Sequence, residues 1–179
     1  MEEIAAPVTV RKTTVEDLDR IVEVHSRSRA SYYQDGGAAL ESIRNPTIEH
    51  QQRTGWGSAL RSTEKRVWCA MAGNELVGVV AMGPPLASDV DARKVGQLYQ
   101  IHVSPGRWRG GIGSTLHAIF AAYLAEASLP TGLLEVWERN SRARAFYAKH
   151  GWTADGQTRL GGPDNSAYVC MRLDRHRSP

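Results

Sequence analysis

Cysteine is scarce in this chain: Cys69 and Cys170 stand more than half its length apart, with no CxxC pair and no Cys/His cluster around either. That excludes a disulfide framework and a zinc site, and makes a reduced, cytoplasmic setting without metal the expectation. Long apolar runs are also missing. The longest stretch, residues 76–87, holds Gly78, Gly83, Pro84 and Pro85 and is too broken and short to span a bilayer. Met1-Glu2-Glu3-Ile4 has neither the basic start nor the apolar core of an export signal. Nor is there an excess of one charge. Lys and Arg number 22 against 19 Asp and Glu, a scattered net charge of +3, which is no footprint for nucleic acid and points to an anionic small molecule instead. Internal repeats and linkers are absent. What is present, 179 residues of which 41% are hydrophobic and 23% charged, suits one domain over residues 1–179 at roughly 150 residues per domain.

Periodicity sketches the elements. Residues 8–13 alternate as a half-buried strand, and Thr14 with Asp17 opens a helix whose apolar positions are Leu18, Ile21, Val22 and His25. Between residues 26 and 64 the pattern is weak, broken by Gly36-Gly37, Asn45-Pro46 and Gly55-Trp56-Gly57, and reads as helix and loop without clear bounds. Residues 66–72 and 75–82 form a hairpin around Gly73-Asn74. Residues 86–95 are loop and 97–103 a strand. After Gly113, Leu116, Ile119, Phe120, Tyr123, Leu124 and Ala127 mark one face of a helix stopped by Pro130 and Gly132. A strand at 133–137, a short helix at 140–149 with Gly151 as its left-handed cap, and a last strand at 168–173 complete the order.

The segment Arg107-Trp108-Arg109-Gly110-Gly111-Ile112-Gly113-Ser114 joins a strand to the strongest helix. Lacking Cβ atoms, its glycines let backbone approach a bulky anion, while the first-turn N–H groups and the helix dipole face it. Such a turn cradles a diphosphate, and Arg107 and Arg109 stand ready for further phosphate oxygens. The alternative is a tight strand-to-helix turn without a ligand. A Walker A loop is excluded because no Gly-Lys-Ser/Thr ends the segment, and a dinucleotide fingerprint because Leu116 stands where its third glycine belongs.

Two runs together, residues 103–113 with the apolar helix behind them and Asn140-Ser141-Arg142-Ala143-Arg144-Ala145-Phe146-Tyr147-Ala148-Lys149-His150-Gly151-Trp152, resemble the GNAT superfamily of acyl-CoA-dependent N-acetyltransferases. The first is similar to its pyrophosphate turn, the second to its Asn-x-x-Ala-x-x-Phe-Tyr-x-x-x-Gly-Phe signature. The resemblance implies an α/β (α+β) fold: a mixed, mostly antiparallel sheet with helices on both faces, splayed where acetyl-CoA enters. Trp108 departs from it, standing where the family usually carries Gln or Arg; backbone cradling tolerates the change.

The resemblance also distributes roles. Tyr147 is the general acid that protonates the departing thiolate; its alternative is a core aromatic. Ile101, His102 and Val103 bond the pantetheine arm, and Trp108, Arg109, Gly110, Gly111, Ile112, Gly113 and Ser114 hold the diphosphate. Asn140 and Ala143 add cofactor contacts, unless Asn140 only caps its helix, and Arg142 and Arg144 reach phosphates or are merely solvated. No base is assigned: Gln97 replaces a frequent glutamate, leaving His102, Glu135, a water chain or bulk solvent. Residues 26–60 form the acceptor wall, with Arg29, Tyr32, Tyr33 and Trp56 as its notable side chains, which otherwise are packing residues. The expected activity is direct transfer of acetyl from acetyl-CoA to a primary amine of a small molecule or peptide. Alternatives are another donor, a longer acyl-CoA or an aminoacyl-tRNA, or a non-catalytic acyl-CoA-binding module. A homodimer is compatible with the sequence; a membrane is not expected as a partner.

Overall fold

Seven strands form one sheet in the order β1-β2-β3-β4-β5-β7-β6 in a computed structural model that describes residues 7–43 and 45–175. The strands are β1 (Val8–Lys12), β2 (Arg66–Ala72), β3 (Glu75–Gly83), β4 (Val95–Val103), β5 (Thr131–Trp137), β6 (Thr153–Leu160) and β7 (Ala167–Asp174). All neighbours are antiparallel except β4 and β5. The expected hairpin is β2–β3, turning at Gly73, whose φ is +59°. The export reading of Met1–Ile4 lies outside the described residues. No described helix is long and apolar enough to cross a membrane.

Helices cover both faces, as expected. On one face α4 (Ile112–Glu126) buries Ile112, Leu116, Phe120, Tyr123 and Leu124 against Val80, Met82, Leu98, Leu134 and Val136, and α5 (Ser141–Lys149) adds Tyr147 to the same core. The fit depends on strand glycines. A Cβ on Gly96 would lie 2.6 Å from Leu124, and one on Gly132 would lie 3.0 Å from both Phe120 and Trp152. On the other face α1 (Leu18–Asp35) and α3 (Pro46–Arg61) pack Ile21, Val24, Trp56 and Ala59 on Cys69, Val79 and Ala81. At the start of α1 the buried Asp17 carboxylate accepts from the Thr14 N–H and holds Arg11 through two bonds of 2.8 Å.

Two sequence readings are corrected. The stretch from 26 to 64 is mostly helix: α1 runs on to Asp35, α2 (Leu40–Ile43) follows, and α3 passes straight through Gly55-Trp56-Gly57. A helix interior tolerates these glycines at a cost of about 1 kcal/mol each, which burial of Trp56 and Ala59 outweighs. Residues 153–160, given no element above, form edge strand β6; exposed along nearly its whole length, it carries no apolar alternation to read.

The two halves of the sheet separate at its centre. Strand β4 pairs with β5 only through Val95–Gln97 against Thr131–Leu133. Beyond Gln97 the two diverge, and β4 continues along β3 alone to Val103, with a bulge in β4 between Leu98 and Gln100. The backbone edge of β4 past that point is therefore open to a ligand, as the expected splay requires.

Candidate functional site

The mouth of the splay is built by the turn after β4. Pro105–Arg107 makes one 3-10 turn, Arg109 and Gly111 take left-handed conformations at φ 65° and 79°, and Gly111 is the N-cap of α4. Thr115 is the first helix residue whose N–H folds back, onto the Gly111 carbonyl at 3.0 Å. The N–H groups of Gly110, Gly111, Ile112, Gly113 and Ser114 donate to no described residue, and a Cβ placed on Gly111 would meet nothing within 4 Å. Five free amides at the positive end of a 15-residue helix, on an open surface, are what a diphosphate needs.

Trp108 turns back from this cradle. Its indole N–H donates to the Val103 carbonyl at 2.9 Å, occupying one of the strand groups expected to face a ligand. The Arg142 guanidinium lies 3.7 Å from the Trp108 ring centre and pairs with Asp35 at 2.6 Å. Arg142 is thus engaged, as is Arg144, which donates to the Glu138 carbonyl, while Arg107 pairs with Glu75. Of the arginines considered for phosphate, Arg109 alone has no protein partner among the described residues.

Helix α5 starts at Asn140, whose side chain accepts the Ala143 N–H at 3.1 Å, so Asn140 does cap the helix. Two turns on, Tyr147 packs its ring on Phe146 and Trp152. Burial pushes its phenol well above the ordinary tyrosine range. The hydroxyl bonds to no described residue, yet no buried side-chain polar atom among them lacks a partner, so its oxygen touches solvent. A protonated, unengaged phenol is suited to donate to an incoming thiolate.

On the opposite face, the predicted wall residues gather with partners the sequence did not reveal. Tyr33 is 2% exposed, shares a 2.8 Å hydroxyl bond with Tyr168 and stacks edge-on to Trp137 at 4.6 Å. Arg29 lies over Tyr33 at 4.3 Å and donates to the Ile43 and Ser42 carbonyls. Tyr32 packs on Tyr33 and runs nearly parallel to His102, 6.5 Å away. His102 stacks on His25 at 4.0 Å, and Trp56 sits behind, donating its indole N–H to His25 Nδ1 at 3.0 Å. Trp56 is thus the support of His25, 3% exposed, rather than an open wall. Burial and the Arg29 cation hold His25 down to about 3, and burial, His25 and Arg29 hold His102 well below its usual range, which favours the neutral form of both rings.

His25, Trp137 and Tyr168 were missed as site residues. Each reads locally as an ordinary helix-face or strand residue, and only the crossing of α1 over β4 and β5 brings them together. Gln97 and Glu135, weighed as base positions, are both committed: the Gln97 side-chain oxygen accepts the Leu86 N–H at 2.8 Å, and Glu135 pairs with Arg159 at 2.7 Å. Among the described residues no three His, Cys, Asp or Glu side chains converge as a metal would need.

Comparison with known proteins places this arrangement. Over 140 residues the chain is 26% identical to mycothiol acetyltransferase of Amycolatopsis mediterranei, covering 77% of this chain and 43% of that protein. Over 118 residues it is 32% identical to a probable N-acetyltransferase of Mycobacterium tuberculosis, covering 63% of each. It therefore spans less than two thirds of the length of these relatives. Its fold matches that of the PaiA N-acetyltransferase of Thermoplasma acidophilum, solved with coenzyme A, at a TM-score of 0.75 and 20% identity over 94% of this chain and 99% of that one. The model of the acetyltransferase (GNAT) family matches residues 23–152, more than half of the chain, and with the cradle, the splay and the α5 signature in place, the chain belongs to that family, whose members use acetyl-CoA.

Proposed function

We propose that this protein transfers acetyl from acetyl-CoA to a primary amine by direct attack. The observation that carries the reading is the unsatisfied five-amide N-terminus of α4 directly after the splayed strand β4, and the unengaged Tyr147 hydroxyl supports it. The amides from Gly110 to Ser114 hold the diphosphate, and Arg109 adds a cation. The open edge of β4 at Ile101 and His102 bonds the pantetheine arm, delivering the thioester to the point where β4 and β5 part. A backbone N–H there stabilises the tetrahedral oxyanion. Collapse of that intermediate breaks the C–S bond, and Tyr147 gives its proton to the sulfur. The acceptor approaches from the face walled by Tyr32, Tyr33 and Arg29. Both cysteines carry free thiols; Cys69 is buried between β2 and the α1–α3 face, and neither is assigned a covalent step.

Free thiol released from acetyl-CoA against a library of primary amines tests the activity. Turnover with at least one amine is expected; binding of acetyl-CoA without turnover would favour the non-catalytic acyl-CoA-binding module, and turnover only with longer acyl donors the other alternative. Tyr147→Phe tests the acid: kcat should fall by about 10²-fold or more while acetyl-CoA affinity stays within a few-fold. Full activity in that variant refutes the role.

A further inference from the structure

We infer that the acceptor is an amine of low basicity that enters already deprotonated, such as an α-amino group or an aromatic amine, in preference to a lysine side chain or a polyamine. This rests on the acetyl-transfer reading above and concerns what the acceptor face can do with a proton.

Among the described residues, the carboxylates on β5, at the end of α1 and after β5 that lie nearest that face are engaged, and Glu41 on α2 is exposed to solvent. Glu135 on β5 is bound by Arg159, and Glu138 accepts the Ala167 N–H at 2.8 Å. Asp35 at the end of α1 is bound by Arg142, and Asp164 lies against Ser42, the Ala39 N–H and Arg139. The position of the frequent glutamate is an amide, Gln97, turned to Leu86.

The imidazoles do not take over. A neutral histidine has one lone pair, and that of His25, on Nδ1, is filled by the Trp56 indole N–H, so its hydrogen resides on Nε2. His102 Nε2 is bonded to Gln100 Oε1 at 2.7 Å, which makes it the N–H and leaves Nδ1 as the open lone pair. A proton there would sit in a ring stacked 4.0 Å from His25, beside the Arg29 cation and buried among Tyr32 and its neighbours. The remaining groups are phenols, Tyr32 and Tyr33 on α1 and Tyr168 on β7 at this face and Tyr147 on α5 in the opposite core, all pushed up by burial. They are hydrogen-bonding groups and acids, and none is a base near neutral pH. An ammonium would thus enter a site walled by buried rings and the Arg29 cation without a free carboxylate beside it, which disfavours the charged form.

The chemistry then selects by basicity. An α-amino group titrates near 7.7–8.0 and a lysine side chain near 10.4, so at pH 7 the neutral fraction differs by about 230–420-fold. Higher nucleophilicity of the more basic amine offsets part of this, leaving a preference of about 10-fold or more.

Two forms of one lysine-containing peptide, one with a free N-terminus and acetylated lysine, the other with the reverse, are compared in kcat/KM with acetyl-CoA from pH 6.5 to 10, with benzylamine as a third acceptor. The α-amine is expected to win at pH 7 by 10-fold or more. The α-amine and benzylamine profiles should climb with unit slope until each levels at its own pKa, the lysine profile should climb across the whole range because its pKa near 10.4 lies above it, and Glu135→Gln should leave this pattern in place. An ε-amine used as well as the α-amine, one inflection shared by all acceptors, or an inflection abolished by Glu135→Gln would overturn the inference while leaving acetyl transfer intact. No thiol release from any of the three would count against the transfer reading and the inference together.

Discussion

Arg109 and Gly111 show how single backbone angles shape the cradle. Both sit at positive φ, yet one carries a long side chain. A left-handed residue with a Cβ is strained by roughly 1–2 kcal/mol, which glycine escapes at an entropic cost of about 0.5–1 kcal/mol. Opposite shifts in thermal stability are therefore expected. Gly111→Ala should lower Tm by about 2–4 °C, with strain alone responsible because its Cβ meets nothing, and Arg109→Gly should raise Tm by about 1–2 °C. Calorimetry checks both, and a lower Tm for Arg109→Gly would contradict the strain argument. Coenzyme affinity should weaken in the two variants alike, from a filled cradle in one and a lost cation in the other. The glycine spacing announced the turn; that Arg109, too, would be left-handed was not legible, since arginine has no preference for that region.

The elements meet at a clasp that local sequence does not announce. Trp108 comes from the turn, Arg142 from the first turn of α5, Asp35 from the last turn of α1, and Val103 ends β4. Their contacts join the diphosphate cradle to the helix bearing Tyr147 across the splayed strands. Both ends of the Arg142–Asp35 pair are half exposed, so that bridge alone contributes little; the cation over the indole face, with its hydrogen bond behind, is the stronger part. A loosened clasp leaves the amides in place but lets the thioester drift from the phenol, and small misplacement is costly in rate. Arg142→Ala should lower kcat by about 10-fold with acetyl-CoA affinity little changed, while Asp35→Asn should cost less than 3-fold. Trp108→Phe, which retains the stack, should recover most of the activity that Trp108→Ala loses. Steady-state kinetics beside isothermal titration separates these outcomes; equal losses in all variants, in step with Tm, would reduce the clasp to scaffolding.

For the whole molecule, three histidines folded in the neutral state set the response to acid. His25 and His102 stack on one another between α1 and β4, and His117, which accepts the Trp152 indole N–H at 2.8 Å, is held down to about 4 by burial and by His150. Unfolded, each would titrate near 6.5. Below that pH the unfolded chain binds protons the folded one refuses, so stability falls as pH drops, with a limiting slope of about 4 kcal/mol per pH unit for three groups. Asp17 acts the same way further down. Arg11 depresses its pKa, so its contribution is present above the ordinary carboxylate range and lost as pH falls through the folded value. Denaturant unfolding between pH 7.5 and 5 should show stability declining from about pH 6.5; a flat profile would mean that these rings are hydrated and titrate normally.

What the sequence determined by itself is local or nearly so. The glycine turn ahead of an apolar helix, the Gly73-Asn74 hairpin, the Asn140 cap and the α5 signature with Tyr147 depend on neighbours a few residues away, and their spacing states them. The long α3 and the edge strand β6 escaped because tertiary burial carries the first through two glycines and exposure erases the alternation of the second. Only the tertiary structure decided the face we propose for the acceptor. The His25–His102 stack, the indole that fills the His25 lone pair, and the salt bridges that retire Glu135 and Asp35 unite residues far apart in the chain. Burial changes a side chain's proton affinity through everything around it, and those surroundings do not exist until the sheet and helices have closed.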